Sequence, residues 1–384
     1  MPESKYTFIC DRNRLTSDYQ DGILLDANEN THGTSLFDIK QDEKLLELNR
    51  YPDPHQTDVK KLICDFRNRE IKSATIPRLV PDNLFVGVGS DEAIDCIIRV
   101  LCVPGKDKLL TCPPTYGMYG VCAQINDVDV VKVNMNFVKG HYDIAPEDVN
   151  EKLSSDPSIK LVYICSPGNP TGSLVSRSNI EKILEHPTWN GIVVVDEAYI
   201  DFSPAGTSLA PLVNVYPNLM VMQTSSKSFG LAGIRFGMAF ASKEVARLMN
   251  NMKYPYNISS ITSDIAKRAF SDEGTLQMKD LVAKIITQRD VLIEELPKID
   301  GVGEFVGGTD ANFLLVELLD SNGVPSNAVA KSVYEGMAKT RGVVVRYRGN
   351  EPGCTGCIRI SVGTSEETKI LLKELRDQLV VSRS

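Results

Sequence analysis

Short apolar runs alternate with helical periodicities along the first part of the chain. Runs rich in Val, Ile, Leu or Met occur at LFVGV, KLLTC, IKLVYIC, GIVVV and NLMVM. After the first run, Ile94, Ile97, Ile98 and Leu101 fall on one face of a helix. Short buried strands with helices between them are typical of a mostly parallel sheet that helices cover on both faces. The pattern therefore predicts an α/β fold with such a sheet at its centre.

The pattern changes late in the chain, and this change predicts a second, smaller α/β domain. A long charged helix is predicted over LQMKDLVAKIITQRDVLIEEL, before strands at ANFLLVEL, GVVVRYR and CIRISVG and an amphipathic helix from Glu366. The start of the chain is polar and irregular apart from GILLDANEN, which we interpret as an arm. We expect an N-terminal arm over 1–36, a large domain over 37–272 and a small C-terminal domain over 273–384.

Charge and cysteine usage narrow the classes of partner and compartment. The 384 residues carry a formal net charge of −8, which argues against nucleic acid or an anionic membrane as the main partner. Nine cysteines without a framework spacing indicate reduced thiols. The N-terminal MPESKYTFICDRNRL lacks the apolar core of a signal peptide, and no apolar run is long enough to span a membrane. We expect a cytoplasmic protein.

Side chains that could take part in catalysis or ligand binding follow the predicted strands repeatedly. The segments concerned are GVGSDE, PPTY, SPGNP, DEAY and SSKS. Ligands of parallel sheets bind beyond the carboxyl ends of the strands. These segments therefore predict one shared site at that edge of the sheet.

Lys227 lies among Thr and Ser residues after a strand, where a desolvated amine can form a Schiff base. Its alternative is a surface lysine in a loop. Asp196 ends the run IVVV, and a carboxylate there can pair with a protonated ring nitrogen. The alternatives for Asp196 are a helix cap or a ligand of Mg²⁺, both common in nucleotide-binding folds. Tyr199 offers a phenol at the same place, or packs in the core.

Two further segments could bind anions. Asn169 in SPGNPTG can donate its amide to an oxyanion, although a Pro/Gly turn favours Asn for conformational reasons alone. GVGSDE opens a helix whose free N–H groups suit a phosphate, and Ser90 or Asp91 can cap that helix. Arg235 can supply a counter-charge to a phosphate, or form a surface ion pair.

The predicted small domain contains two arginines after apolar runs. The guanidinium groups of Arg346 and Arg359, each at a strand end, would suit a carboxylate or a phosphate. Exposed charges on an edge strand are the alternative. Cys354 and Cys357 form a single C-x-x-C with no second pair and no nearby His, which argues against zinc. No metal is expected.

The order of these motifs resembles the fold-type I pyridoxal phosphate aminotransferases over roughly residues 22–375. More narrowly, it resembles the histidinol-phosphate aminotransferases of fungal type. The segments that carry the resemblance are LLDANEN, RYPDP, GVGSDE, SPGNPTG, VVVDEAYIDF, TSSKSFGLAGIR, ANFLLV, VVVRYRG and CIRISVGT.

The resemblance implies roles for the residues around the cofactor ring. Lys227 would form the Schiff base with pyridoxal 5'-phosphate and then move the proton of the substrate. Asp196 would pair with the pyridinium nitrogen, so that the ring accepts electrons. Asn169 and Tyr199 would contact the phenolic oxygen of the ring. Tyr116 in PPTY would stack on the ring.

The resemblance also implies a phosphate site and a shared dimer. The phosphate would be held by the backbone of Ser90, Asp91 and Glu92 and by the side chains of Thr224, Ser226 and Arg235. Tyr51 of RYPDP would reach the cofactor phosphate of the other subunit in a homodimer.

The implied substrates are L-histidinol phosphate and 2-oxoglutarate, which would give 3-(imidazol-4-yl)-2-oxopropyl phosphate (imidazole-acetol phosphate) and L-glutamate in histidine biosynthesis. Both half-reactions would share one site, so ping-pong kinetics are expected. Arg346 and Arg359 would receive the phosphate and carboxylates of the substrates, and Asn28 would help to close the pocket. The arm does not clearly match the family's arm, and Tyr6 and Tyr19 are the candidates for its substrate-contacting tyrosine.

Three alternatives stay open at the level of sequence. An aromatic or broad-specificity aminotransferase would share the cofactor residues but prefer free aromatic amino acids. A phosphoamino-acid decarboxylase on the same scaffold would release CO₂. A pyridoxal-phosphate-sensing regulator would need an appended DNA-binding domain, for which this acidic chain has no spare length.

Overall fold

The computed structural model describes residues 23–26, 28, 30–33, 50–138 and 140–383. Most of the predicted arm, including Tyr6 and Tyr19, lies outside the described residues. The strands in chain order are β1 Ile23–Leu24, β2 Leu84–Val88, β3 Lys108–Thr111, β4 Asp129–Lys132, β5 Asn136–Val138, β6 His141–Asp143, β7 Ile159–Cys165, β8 Ile192–Asp196, β9 Leu219–Thr224, β10 Phe236–Phe240, β11 Val302–Phe305, β12 Phe313–Leu318, β13 Val343–Val344, β14 Arg346–Tyr347 and β15 Cys357–Ser361.

Ten α-helices lie between and after these strands in the described ranges. They are α1 Thr57–Asn68, α2 Gly89–Leu101, α3 Met118–Ile125, α4 Pro146–Ser155, α5 Arg177–Leu184, α6 Lys243–Met252, α7 Ser260–Ala269, α8 Asp272–Glu295, α9 Asn327–Gly336 and α10 Ser365–Arg383. None of the helices in the described part of the chain combines the length and apolar character needed to cross a membrane.

A seven-stranded sheet in the order β2-β10-β9-β8-β7-β3-β4 forms the centre of the fold. The pairs β9-β8, β8-β7, β7-β3 and β3-β4 are parallel, whereas β10 is antiparallel to both of its neighbours. The prediction of a mostly parallel sheet is thus confirmed. Strand β10 was not predicted from the sequence, because its run FGMAF follows the lysine turn without a helix between them.

Alternate residues of the same strands build two apolar layers, one on each face of the sheet. Val193 and Val195 of β8 pack into one buried cluster, whereas Val194 packs into the other. Met220 and Val221 of β9 divide in the same way. This period of two, with both faces covered, explains why these strands appear in the sequence as continuous apolar runs.

A second sheet, with the antiparallel order β11-β12-β15-β14, follows the long helix α8. Strand β1 pairs in parallel with β13, so residues 23–24 are hydrogen-bonded to the C-terminal part of the chain. The boundary at 272/273, which coincides with the start of α8, stays a prediction.

Helix α2 begins differently from the sequence-based expectation. Neither Ser90 nor Asp91 caps it. Val88 occupies the N-cap position, and its apolar side chain cannot accept a hydrogen bond. Instead the carboxylate of Glu92 accepts a short hydrogen bond from the backbone N–H of Val88. The capping prediction is therefore wrong, because the helix begins at Gly89, before either of the two residues.

Candidate active site

A cavity of about 390 Å³ lies at the carboxyl edge of the central sheet. Strands β7, β8 and β9 end at this edge, and β2 ends beside them before helix α2. The predicted site residues that line the cavity are Asn28, Ser90, Asp91, Tyr116, Asn169, Asp196, Tyr199, Thr224, Ser226, Lys227, Arg235 and Arg359. Of the described residues predicted for the site, Glu92, Tyr51 and Arg346 do not line it.

Asp196 is a buried carboxylate at the end of β8. Its Oδ2 accepts a hydrogen bond from the Tyr119 phenol at 2.7 Å, and its Oδ1 accepts one from the Ala198 N–H at 3.1 Å. Burial raises the pKa of Asp196 to about 6, and the two hydrogen bonds oppose that rise. Tyr119 was not singled out in the sequence; it lies in α3, three residues after Tyr116, which precedes that helix.

Lys227 and Tyr199 meet in the same cavity. The Nζ atom of Lys227 lies 5.8 Å from the centroid of the Tyr199 ring. The hydroxyl of Tyr199 accepts a hydrogen bond from Asn28 Nδ2 at 3.0 Å. Burial raises the pKa of this phenol. A buried phenol next to an amine can hold or donate a proton close to the reacting atoms.

Asn28 holds the described part of the arm against the cavity through hydrogen bonds. Its backbone N–H donates to Ser361 Oγ at 2.9 Å, and the same hydroxyl donates to Asn28 Oδ1 at 2.8 Å. Asn312 Nδ2 donates to the Asn28 carbonyl at 3.0 Å. Asn28 adopts φ 55, a left-handed conformation that Asn tolerates better than most residues. The arm therefore contributes a held side chain to the site.

Hydroxyl and N–H groups that could donate hydrogen bonds to an anion lie together beside the first turn of α2. Thr224 Oγ1 and Ser226 Oγ are 2.9 Å apart, and Arg235 Nη2 lies 3.6 Å from Asp91 Oδ2. Gly89 has φ +74, a conformation that favours glycine, and it lies close to the end of the Arg235 side chain, whose Nη2 would be 2.5 Å from a Cβ placed there. A helix N-terminus with a guanidinium group beside it favours a phosphate.

Glu92 belongs to the same first turn of α2, but its side chain has another task. Its carboxylate binds the Val88 N–H and accepts hydrogen bonds from Asn257 Nδ2 at 3.2 Å. The side chain therefore stabilises the start of the helix, and the predicted contact of its backbone with a phosphate stays a prediction.

Arg359 lies in the middle of β15 and not at a strand end, which corrects the sequence-based placement. Arg359 is only 1% exposed, and its Cζ lies 5.2 Å from the centroid of the Phe313 ring. Nη1 donates to Asn169 Oδ1 at 2.6 Å, and Nη2 donates to the Asp26 carbonyl. A buried guanidinium group with this orientation suits a carboxylate or phosphate in the cavity.

Arg346 begins β14, and its Cα is the direct partner of Arg359 across the antiparallel pair. Directly opposed residues project from the same face of a sheet. Arg346 is half-buried, and it lies beyond the lining of the cavity on the side of Arg359. The sheet thus brings the two predicted arginines together, with one inside the cavity and the other next to it.

Two predicted aromatic residues differ in their position. Tyr116 lines the cavity, donates to Asp91 Oδ1 at 3.3 Å, and packs edge-on against Tyr119 with 5.6 Å between ring centroids. Tyr51 is 83% exposed and stacks on Tyr256 with 4.7 Å between ring centroids. Tyr51 therefore does not serve the cavity of its own chain.

The C-x-x-C pair does not take part in the cavity. Cys354 and Cys357 are free and buried, and they pack with Tyr142, Val306 and Leu315. Within the described ranges, no group of three or more His, Cys, Asp or Glu residues could hold a metal ion.

Comparison with known proteins assigns the chain to a family. The model of the family "Aminotransferase class I and II" matches residues 20–375. The chain belongs to the class I and II aminotransferases.

The named relatives of this aminotransferase agree with one another. It is 52% identical over 359 residues to the histidinol-phosphate aminotransferase of Candida maltosa, covering 93% of this chain and 92% of that protein. It is 53% identical over 361 residues to the histidinol-phosphate aminotransferase of Schizosaccharomyces pombe, covering 94% and 91%. A crystal structure of the Sinorhizobium meliloti histidinol-phosphate aminotransferase in complex with pyridoxal-5'-phosphate has the same fold, with TM-score 0.81, 21% identity and coverage of 99% and 96%.

The cavity of the aminotransferase fits pyridoxal 5'-phosphate, the cofactor of this class. The cofactor needs an amine for its aldehyde, a carboxylate for its ring nitrogen and donors for its phosphate. Lys227 and the buried carboxylate of Asp196 meet the first two needs, and the donors beside α2 meet the third. The carboxylate of Asp196 is buried and accepts hydrogen bonds from two neutral groups, the Tyr119 phenol and the Ala198 N–H, so its charge is available to a protonated nitrogen.

Proposed function

We propose that the chain transfers the amino group of L-histidinol phosphate to 2-oxoglutarate, giving 3-(imidazol-4-yl)-2-oxopropyl phosphate and L-glutamate. The observation that carries the proposal is the convergence of Lys227, Asp196 and the buried Arg359 in one cavity. The names of relatives that are 52% and 53% identical over more than nine tenths of this chain support the choice of substrate.

The residues around the cofactor would divide the work of transamination. When bound, pyridoxal phosphate supplies an electron-accepting ring that stabilises negative charge on the substrate carbon. Asp196 would keep the ring nitrogen protonated through its negative charge. Lys227 would bind the cofactor and then carry a proton from and to the substrate carbon through Nζ. Asn169 and Tyr199 would contact the phenolic oxygen, and Tyr116 would stack against the ring.

The phosphate of the cofactor would be bound at the start of α2. The backbone of Ser90, Asp91 and Glu92 supplies N–H groups that carry the partial positive charge of the helix end. The hydroxyls of Thr224 and Ser226 and the guanidinium group of Arg235 would complete this phosphate site. Its donors lie close together in the described structure, which supports the assignment.

Arg359 and Arg346 would recognise the substrates. Arg359 would bind the carboxylate of glutamate or 2-oxoglutarate and the phosphate of histidinol phosphate in turn, because both substrates occupy one place. Arg346, opposed to Arg359 on the same face of the sheet, would add charge for the phosphorylated substrate. Asn28 would close the cavity from the side of the arm, and its four hydrogen bonds support this role.

The active unit would be a cytoplasmic homodimer with shared sites. Tyr51 is exposed and lies outside the cavity of its own chain, so its phenol is available to a second copy. We therefore propose that Tyr51 reaches the cofactor phosphate of the partner. We also propose that the chain divides into an arm, a large domain and a small domain, with boundaries at 36/37 and 272/273.

A panel of amino donors with 2-oxoglutarate tests the proposed substrate. We expect kcat/KM to be much higher for L-histidinol phosphate than for L-histidinol, L-phenylalanine or L-tyrosine. Comparable values for the aromatic amino acids would favour a broad-specificity aminotransferase. Stoichiometric CO₂ from a phosphoamino acid would favour a decarboxylase instead. Lys227→Ala is the control for turnover that does not depend on the site.

A further inference from the structure

The turn that carries Lys227 contains little side-chain bulk of its own. Ser225, Ser226 and Ser228 flank the lysine, so hydrogen bonds hold these positions, whereas Phe229 packs into the core just beyond them. Ser225 Oγ donates to the Phe236 carbonyl at 3.0 Å, which holds the side next to β10. The opposite side of the turn is held by a buried polar network that includes residues from α1 and from the segment after β8.

Arg67 of α1 is at the centre of this network, with a side chain only 4% exposed. Its Nε donates to Gln223 Oε1 at 2.8 Å, and its Nη2 lies 2.9 Å from Asp201 Oδ1. The other carboxylate oxygen of Asp201 accepts a hydrogen bond from Ser228 Oγ at 2.6 Å. Gln223 lies four residues before Lys227 and Ser228 lies one residue after it. One guanidinium group is thus connected to both ends of the lysine turn.

Gln223 is itself held on its far side by Glu197. Its Nε2 donates to Glu197 Oε2 at 2.7 Å, and the same carboxylate accepts from Ser208 Oγ and from the Leu209 N–H, both at 2.6 Å. Glu197 directly follows Asp196. The network therefore joins the segment that carries the buried carboxylate to the segment that carries the lysine.

We infer that Arg67 is a positioning residue that fixes the Lys227 turn relative to Asp196 by holding Gln223 and, through Asp201, Ser228. The inference rests on the proposed role of Lys227. Arg67 contributes a fork of donors in a fixed geometry, which a lysine at the same place cannot reproduce. Displacement of the turn would move the amine of Lys227 without removing any group that contacts the cofactor or substrate.

Two conservative variants of the holoenzyme test this inference. Arg67→Lys keeps the charge and loses the fork, and Ser228→Ala removes one tether and keeps Arg67. We expect each to lower kcat by about tenfold, because small misplacements of reacting groups are costly. The KM for the amino donor should change little. The pH at which the visible cofactor band titrates should shift in both variants, and this readout needs no amino donor.

The matched control is Arg69→Lys, two residues along the chain. Arg69 forms an exposed ion pair with Asp272 and has no part in the network. The Arg69→Lys variant should leave kcat and the pH at which the visible band titrates unchanged. The double variant Arg67→Lys/Ser228→Ala should lose no more than about the larger single loss, because the tether that Ser228→Ala removes runs through Asp201 to Arg67 and is already disturbed in Arg67→Lys.

Additive losses, or lower thermal stability with an unchanged kcat and an unchanged band, would overturn the positioning role. If Arg67→Lys does not fold, Ser228→Ala decides the matter alone, and an unaltered band and kcat in that variant would also overturn it. A wild-type protein with a visible band but no activity on histidinol phosphate would contradict the proposed substrate and leave the band shift as the test of Arg67. A wild-type protein without a band would overturn both.

Discussion

The phenol of Tyr119 donates a hydrogen bond to the carboxylate of Asp196, with 2.7 Å between Oη and Oδ2. Both residues are buried, and burial is the main cause that raises the pKa of Asp196. A donor to the charged form of an acid lowers its pKa. Tyr119 therefore helps Asp196 to stay ionised at neutral pH, which a protonated ring nitrogen requires of its partner.

Replacing Tyr119 by Phe should raise the pKa of Asp196 further above its ordinary value. A hydrogen bond to a charged group contributes about 1.5–3 kcal/mol, which corresponds to a shift of about one to two pH units. The pKa of Asp196 can be measured by pH titration of the cofactor-free protein, with infrared difference spectroscopy as the signal for the buried carboxyl group. Tyr163→Phe is the matched control, since Tyr163 stacks on Tyr119 but donates to the Ile94 carbonyl. An unshifted Asp196 in Tyr119→Phe would contradict this account.

Arg359→Lys should weaken both half-reactions of the ping-pong cycle. The amino donor and 2-oxoglutarate would occupy the same place in turn, and a lysine lacks the fork that also holds Asn169. Truncating one partner of a buried charged pair typically costs about 2–5 kcal/mol, and a lysine that keeps the charge should cost less than that. Stopped-flow measurement of each half-reaction separately gives the two losses. A loss confined to one half-reaction would show that Arg359 does not serve both substrates.

Arg346→Ala should penalise phosphorylated donors selectively. Arg346 lies next to the cavity, opposite Arg359, so its charge would act mainly on the more distant phosphate of the substrate. We expect kcat/KM for L-histidinol phosphate to fall by more than kcat/KM for L-histidinol. Equal losses for the two donors would rule out recognition of the phosphate by Arg346.

A mixed dimer tests the shared site. If each site needs Lys227 from one chain and Tyr51 from the other, a dimer of Tyr51→Ala and Lys227→Ala chains has one site with both defects and one intact site. An isologous interface makes this pairing unavoidable. Isolated with two different tags, the heterodimer should recover up to about half of the wild-type activity per dimer.

The homodimers of each single variant, both nearly inactive, are the controls for the mixed dimer. A stable heterodimer without recovered activity would mean that Tyr51 does not serve the partner's site and only packs against Tyr256. A fully active monomer in sedimentation at the assay concentration would remove the shared site altogether.

The fold and much of the site could be predicted because their signals are local. Strand β8 appears as a continuous apolar run since both faces of the sheet are covered, and Asp196 follows that run directly. Once the strands are parallel, the residues after them meet at one edge, as Asn169 and Lys227 do.

The missed features depend on pairings between distant segments. Tyr119 is 77 residues from Asp196, and Arg67 is 156 residues from Gln223, so no sequence spacing connects either pair. The position of Arg359 within β15 depends on its register with β12 and β14. The partner of Val88 is different, because it is local: Glu92, four residues on, competes with the expected caps of α2, and this pairing was missed although it lies within one helical turn.

The most direct test of the central claim is an absorbance titration of the purified holoenzyme with L-histidinol phosphate, followed by borohydride reduction and peptide mapping. We predict a visible band that the amino donor bleaches and 2-oxoglutarate restores. Reduction before the donor is added should fix the cofactor to Lys227. A cofactor fixed to another lysine, or a band that histidinol phosphate does not change, would contradict the account.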